Sequence, residues 1–138
     1  MLPPISLIIM QIALEATKVS KSLLCKYYHS IYSSDFYSIT KTRDELSVVA
    51  IQTDINSGDF VCNKDWRIIK IEGPLDFSLV GIIADISEVF KKLNIPIFTL
   101  STYDTDYFLV KQVDLNTGIQ ELGKKGNTIS VEIKKAPE

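Results

Sequence analysis

The sequence predicts an α+β fold in its second half, with two helices packed on one face of an antiparallel sheet. Three observations support this prediction. The stretch WRIIKIE, residues 66–72, alternates large apolar with charged side chains, as a strand with one buried face does. Apolar residues between Leu79 and Leu93 recur at intervals of three and four, which forms one stripe of a helix. Further apolar segments complete the order strand, helix, strand, strand, helix, strand.

The first of these helices has recognisable ends. Ser78 or Asp76 can accept hydrogen bonds from the free amides of the first turn. Asn94 and Pro96 are expected to end the helix, because proline has no N–H to continue the backbone ladder. The segments IFTLS and YFLVK that follow are predicted strands, joined by a polar hairpin.

A second, shorter helix is predicted after the hairpin, with Asp114 as its cap and apolar residues along one side. Glycines end it before a last strand at residues 128–134. Because crossovers between parallel strands are right-handed, the six elements predict a four-stranded, ferredoxin-like βαββαβ sheet with both helices on one face.

The first half of the chain is predicted to be rich in strands and to lack a periodic helix of convincing length. Strands are expected at residues 6–14, 22–28, 36–42 and 46–52, and residues 56–65 are interpreted as a linker. Because a small sheet needs a layer over its apolar face, these strands should pack beside or extend the second sheet. The predicted domains are therefore residues 1–62 and 63–138.

The composition excludes several classes of partner. Fifteen basic and seventeen acidic side chains give a formal net charge of -2, which provides no field for a nucleic acid or an anionic membrane. The apolar segment from Ile5 to Leu14 is shorter than the roughly 20 residues that a membrane-spanning helix needs. Cys25 and Cys62 lie far apart in apolar contexts and are expected to be reduced core residues. We therefore expect a cytoplasmic protein.

Two polar segments should meet at one end of the sheet, because they follow two parallel strands. One is EGPLDFS, residues 72–78, and the other is the hairpin STYDTD, residues 101–106. Their carboxylates can attract an ammonium or guanidinium group, and free amides at the helix start can attract a carboxylate. An amino acid carries both charges. The candidate residues in these segments are Glu72, Gly73, Pro74, Leu75, Asp76, Phe77, Ser78, Thr102, Tyr103, Asp104 and Asp106.

The same residues have a purely structural interpretation. Asp76 can serve only as a helix cap, and Asp104 and Asp106 can bond only to their own turn. The carboxylates could also hold a divalent cation, but no established metal-loop spacing is present. We expect no metal and no cofactor. The sequence has no Walker loop, GxSxG elbow or dinucleotide fingerprint, which argues against an enzyme.

Residues 66–111 resemble the ACT domains of a small bacterial group with two ACT-like halves. The phrase FYSITKTRDELSVV, residues 36–49, resembles the end of that group's first half. Both motifs are similar to those of the animal arginine sensors called CASTOR and, more distantly, of aspartate kinases. The resemblance implies non-catalytic sensing of an amino acid held between neighbouring ACT domains. The residues that it implies are Gly73, Pro74, Leu75, Asp76, Thr102, Tyr103 and Asp106, with Ser38 and Ile39 from the other half.

Two functions remain open at this point. The first is a regulatory module with tandem ACT-like halves, the first of them degenerate, that binds an amino acid between them. Because no catalytic domain is recognised, its effector would be another protein. The second is a structural module that forms a homodimer through a sheet edge or a helix face, without a ligand.

Overall fold

A computed structural model describes residues 6–52, 62–73 and 80–132. In chain order the elements are β1 (Ser6–Lys18), α1 (Lys21–Tyr32), β2 (Tyr37–Lys41), β3 (Leu46–Ile51), β4 (Cys62–Ile71), α2 (Ile82–Lys92), β5 (Phe98–Ser101), β6 (Asp106–Lys111), α3 (Gln112–Lys124) and β7 (Thr128–Glu132). The chain forms two compact units, which we call the first unit (residues 12–66) and the second unit (residues 1–11 and 67–138). The predicted domain division at residue 62 stays a prediction.

The first unit contains a helix where the sequence predicted a strand. Residues 22–28 lie within α1, which begins after Ser20 as N-cap, and the Ser20 Oγ accepts a hydrogen bond from the Leu23 N–H at 3.2 Å. Leu24, Tyr27 and Ile31 are spaced by three and four residues and pack on one cluster. The prediction was wrong because leucine, tyrosine and cysteine suit strands as well as helices, and this apolar stripe was not recognised.

The sheet of the first unit is covered by α1. Strand β3 pairs antiparallel with β2 on one side and with the C-terminal half of β1 on the other. Val48 and Ala50 of β3 are buried against Ile31, and Tyr37 and Ile39 of β2 pack on the same cluster. The hairpin tip between β2 and β3 is exposed.

The second unit confirms the predicted βαββαβ order from β4 to β7 and the α+β fold class. Side chains that alternate along the strands, such as Ile69 and Ile71, pack with residues of both α2 and α3 in one buried cluster. Both helices therefore cover the same face of the sheet. Phe90 of α2 is 1% exposed at the centre of this layer, and Gly118 of α3 lies so close that an added Cβ would stand 2.6 Å from the Phe90 ring.

The sheet of the second unit has one strand more than predicted. Its order is β7-β1-β4-β6-β5, so the N-terminal part of β1 lies between β4 and β7. Strand β1 pairs in parallel with β7, with Ser6 opposite Thr128. At its other side the Ser6 carbonyl accepts from the Glu72 N–H at 2.9 Å. The four-stranded sheet was therefore an incomplete prediction, because nothing local in the sequence indicates a pairing between residues so far apart.

The ends of α2 agree with the prediction at one side only. The C-terminal stop is confirmed: Asn94 has φ 57, and the Ile95 N–H donates to the Phe90 carbonyl at 3.0 Å, which together form a Schellman motif. At the N-terminus the cap is Gly81, with φ 86, rather than Asp76 or Ser78, which both lie outside the described residues. A glycine suits this position because side-chain-bearing residues rarely adopt positive φ.

Three smaller predictions need correction. Helix α3 has 13 residues and is longer than α2, and its N-cap is Lys111, so that Asp114 lies in the first turn instead of capping it. Residues 62–65, taken as the end of a linker, belong to β4. Cys25 is exposed on α1 and is not a core residue, and Cys62 in β4 is only half-buried. The remainder of the predicted linker, residues 56–61, lies outside the described residues.

Candidate functional site

The candidate site is centred on the hairpin between β5 and β6. Ser101 and Asp106 are the last paired residues of the two strands. Beyond them the Thr102 N–H donates to the Thr105 carbonyl at 2.9 Å. Tyr103 and Asp104 form the tip, where Tyr103 is 82% exposed. Strand pairing thus presents the tip to solvent and fixes the position of Asp106 at its base.

A buried hydrogen bond joins this hairpin to the end of β4. The Thr105 hydroxyl donates to the Ile71 carbonyl at 2.6 Å, and Thr105 is only 5% exposed. The residues that follow Ile71 are Glu72 and Gly73, both of them exposed. The hairpin and the end of β4 therefore lie together at the described residues, whereas the predicted meeting with the rest of segment 72–78 stays a prediction.

Asp106 has a defined hydrogen-bond partner. Its Oδ1 atom accepts from the Ser101 hydroxyl at 2.6 Å across the strand pair. The Asp106 side chain is half-buried, whereas Asp104 is exposed at the tip. The other carboxylate oxygen, Oδ2, can accept a hydrogen bond from a cationic group, since an ionised carboxylate offers about four lone-pair sites. Ser101 thus acts as a positioning residue for Asp106.

Part of the predicted site lies outside the described residues. These residues are Pro74, Leu75, Asp76, Phe77 and Ser78. Their contribution, both as loop amides and through the Asp76 carboxylate, stays a prediction. Ser38 and Ile39 belong to β2 of the first unit, where Ser38 is half-buried and the Ile39 side chain packs on the buried cluster. Their part in ligand binding likewise stays a prediction.

Sequence reasoning missed Ser101 and Thr105, which organise the hairpin. A signal for Ser101 was available, because a tight hairpin around residues 102–105 sets Ser101 directly opposite Asp106. In the structure, the β2–β3 hairpin has a turn of the same kind, in which the Thr42 N–H donates to the Glu45 carbonyl at 2.9 Å. Thr42 and Thr102 lie 60 positions apart in the sequence. At the position that corresponds to Asp106, the β2–β3 hairpin has Leu46.

The described residues show no other candidate chemistry. No three His, Cys, Asp or Glu side chains within residues 6–52, 62–73 and 80–132 are grouped so that they could hold a metal ion. None of the helices in these ranges combines the length and the apolar content that a membrane span requires. His29, the single histidine, is exposed on α1.

Comparison with known proteins identifies the region that carries this hairpin. Residues 61–122 match the family model of the ACT domain, and residues 31–58 match a second model, which describes an N-terminal domain. A protein of Agrobacterium tumefaciens solved by X-ray crystallography is 27% identical, with a TM-score of 0.83, and the match covers 99% of this chain and 100% of that chain. The fold thus extends over the whole length of that protein.

Two aspartate kinase structures share the fold at lower identity. The ligand-free regulatory subunit from Thermus thermophilus is 7% identical with a TM-score of 0.61, and the match covers 88% of this chain and 98% of that chain. Aspartokinase III from E. coli, in complex with aspartate and ADP, is 15% identical with a TM-score of 0.59, over 88% of this chain and 34% of that chain. Residues 61–122 of the chain are therefore similar to ACT domains, as the match to the family model shows.

Proposed function

We propose that this protein is a non-catalytic regulatory module that binds an amino acid where the β5–β6 hairpin meets the end of β4. The observation that supports this most directly is the buried 2.6 Å bond from the Thr105 hydroxyl to the Ile71 carbonyl. It holds the hairpin that carries Asp106 against the residue that precedes Glu72. Carboxylates from two separate segments are thereby available to one cationic ligand.

In this proposal the acidic residues bind the positive groups of the ligand. Asp106, oriented by Ser101 at 2.6 Å, accepts from the ligand ammonium, and Glu72 and Asp76 add negative charge. The backbone amides of residues 75–78, in the loop that precedes α2, take the ligand carboxylate. A neutral amino acid needs only the ammonium contact, whereas arginine or lysine would use the additional carboxylates.

The relatives support a regulatory role of this kind. The Thermus thermophilus protein is a regulatory subunit of aspartate kinase, and the E. coli aspartokinase III structure contains aspartate. We extend this to the present chain as part of the proposal: the ligand is an amino acid, the effector is a separate protein, and the module acts in the cytoplasm. The same proposal includes Ser38 and Ile39 as residues that complete the binding site.

A thermal-shift screen against the twenty amino acids tests the proposal. A ligand at a hundred times its dissociation constant adds about 2.7 kcal/mol to the free energy of unfolding. For a chain of 138 residues, this corresponds to a rise in Tm of roughly 9 °C. If no amino acid moves the Tm at millimolar concentration, the protein is not an amino-acid sensor.

A pair of variants identifies the site once a ligand is found. Asp106→Ala should abolish the shift caused by the ligand while the protein remains folded, because the ammonium loses its partner. Asp44→Ala removes a carboxylate from the exposed tip of the β2–β3 hairpin and should leave the shift unchanged. An Asp106→Ala protein that still responds in full would rule out this location.

The alternative is a module that forms a homodimer and binds no small molecule. One observation favours it, namely two exposed tyrosines on α1, Tyr28 and Tyr32. Ligand binding and self-association are separable by experiment, because a ligand raises the Tm of the protein, whereas self-association makes the Tm depend on the protein concentration.

A further inference from the structure

A cavity of about 450 Å³ opens on the sheet of the first unit. Small-molecule sites in proteins usually have volumes of roughly 300–1,000 Å³. The residues that line the cavity come from the end of β1, from the β2–β3 hairpin with the start of β3, and from the start of β4. All of them belong to the first unit. None of them is among the residues proposed to bind an amino acid, so the cavity is a separate candidate site.

The cavity lies on the face of the sheet that α1 does not cover. Strand β1 lies between β3 and β4, and Lys18 of β1 is paired with Ser47 of β3. The next residue of β3, Val48, packs with Ile31 of α1. Because successive side chains of a strand point to opposite faces, Ser47 and Lys18 lie on the face away from α1. The cavity is therefore outside the core that α1 forms with β3.

Short side chains beside long ones give the cavity its depth. Ala16, Ser47 and Cys62 line it and are half-buried. Lys18 and Lys64 line it as well, and their side chains are much longer. The three short residues come from β1, β3 and β4, which are adjacent strands. The space beside the lysines is thus a property of the sheet surface and does not depend on a loop alone.

The charged groups around the cavity favour an anion. Lys18 and Lys64 contribute two positive charges and Glu45 one negative charge, so the lining has a net positive charge although the whole chain has a formal net charge of -2. The Ser47 hydroxyl adds a neutral hydrogen-bond donor. Hydrogen bonds from an ammonium group to an anion are roughly twice as strong as neutral ones. A positively charged cleft also raises the local concentration of anions.

We propose that this cavity binds a small organic anion through the ammonium groups of Lys18 and Lys64, with the Ser47 hydroxyl as a third donor. A carboxylate or phosphate group of the ligand accepts hydrogen bonds from both lysines. Glu45 restricts the site to ligands of low charge, because each additional anionic group would be repelled by its carboxylate. This ligand differs in chemistry from the amino acid whose ammonium group we assign to Asp106, and its binding does not depend on that assignment.

NMR titration of the full chain at constant ionic strength tests the proposal. The probes are sodium succinate and sodium phosphate, with succinamide as an uncharged comparison. Succinate or phosphate should shift the backbone amide signals of the residues that line the cavity along a saturating curve, whereas succinamide should not. The probe with the lower Kd identifies the anionic group as carboxylate or phosphate. The proposal is overturned if neither anion gives saturable shifts at these residues, or if the shifts are spread over exposed lysines throughout the chain.

Charge variants show whether the cavity is the site. Lys18→Gln and Lys64→Gln should each raise the Kd of the tighter probe about tenfold, because each removes a charge-assisted hydrogen bond. Lys91→Gln removes an exposed ammonium group from α2 of the second unit and should leave the Kd unchanged. Glu45→Gln should lower the Kd about threefold, since it removes a negative charge from the lining.

The same measurements separate this site from the amino-acid site. Asp106→Ala should leave the Kd of the anion unchanged, so the anion site can hold even if the amino-acid proposal fails. An equal Kd for Lys18→Gln and Lys91→Gln would show that the anion binds elsewhere and would overturn the proposal. Weaker binding to Glu45→Gln would also overturn it, because a ligand that uses the Glu45 carboxylate carries a positive group.

Discussion

Replacing Thr105 with valine tests the link between the hairpin and β4. Valine matches threonine in shape but lacks the hydroxyl that donates to the Ile71 carbonyl at 2.6 Å. Thr105 is 5% exposed and Ile71 is fully buried, so water cannot replace the lost donor easily. A buried polar group that loses its partner destabilises a protein by about 1–3 kcal/mol. We take about 2 kcal/mol as the expected loss.

This loss can be measured by thermal unfolding. With an unfolding entropy of about 2.1 cal/mol/K per residue, 138 residues convert 2 kcal/mol into a fall in Tm of roughly 7 °C. Thr105→Ser keeps the donor and should lose about 1 kcal/mol at most. Thr102→Val removes an exposed hydroxyl with bonds of 3.2 and 3.4 Å and should change stability by about 0.5 kcal/mol. If Thr105→Val is as stable as Thr102→Val, the buried bond does not hold the hairpin.

Two further predictions concern the helices of the second unit. Gly118→Ala should lower the free energy of unfolding by about 1–2 kcal/mol, since its Cβ would stand 2.6 Å from the buried Phe90 ring. Gly123→Ala, with 3.6 Å to the nearest side chain, should raise it by about 0.5–1 kcal/mol. Equal effects of the two variants in urea titrations would contradict the close packing. Asn94→Ala should lower the free energy of unfolding by about 1 kcal/mol, because φ is 57 at this position. Asn94→Gly should not lower it, and an alanine variant as stable as the wild type would refute the backbone strain.

The second half of the fold could be predicted because its signals are local. Apolar spacing located α2 and the strands β5 and β6, and the residues near Asn94 and Pro96 located the end of α2 within two positions. The start of α2 was less accessible, since a glycine cap with positive φ leaves no side-chain signature. Local pattern thus identifies where elements are, and less reliably how they begin.

Other features depend on contacts that one segment does not contain. Helix α1 was not predicted, although Leu24, Tyr27 and Ile31 have helical spacing. These residue types also suit strands, and the sequence does not indicate that they pack on Val48. In the candidate site, topology predicted the meeting of the hairpin and β4. The hydroxyl of Thr105 that joins them depends on a partner 34 residues away, which the sequence does not indicate.

The parallel pairing of β1 with β7 has a consequence for folding during synthesis. Ser6 and Thr128 are paired across almost the whole chain, so β1 leaves the ribosome long before its partner does. At translation rates of about 5–20 residues per second, the interval is roughly 6–24 s. Throughout that time one flank of the nascent β1 lacks β7, and contacts of such high sequence separation form slowly. Chaperones that shield unpaired strands would therefore matter most before the last residues emerge.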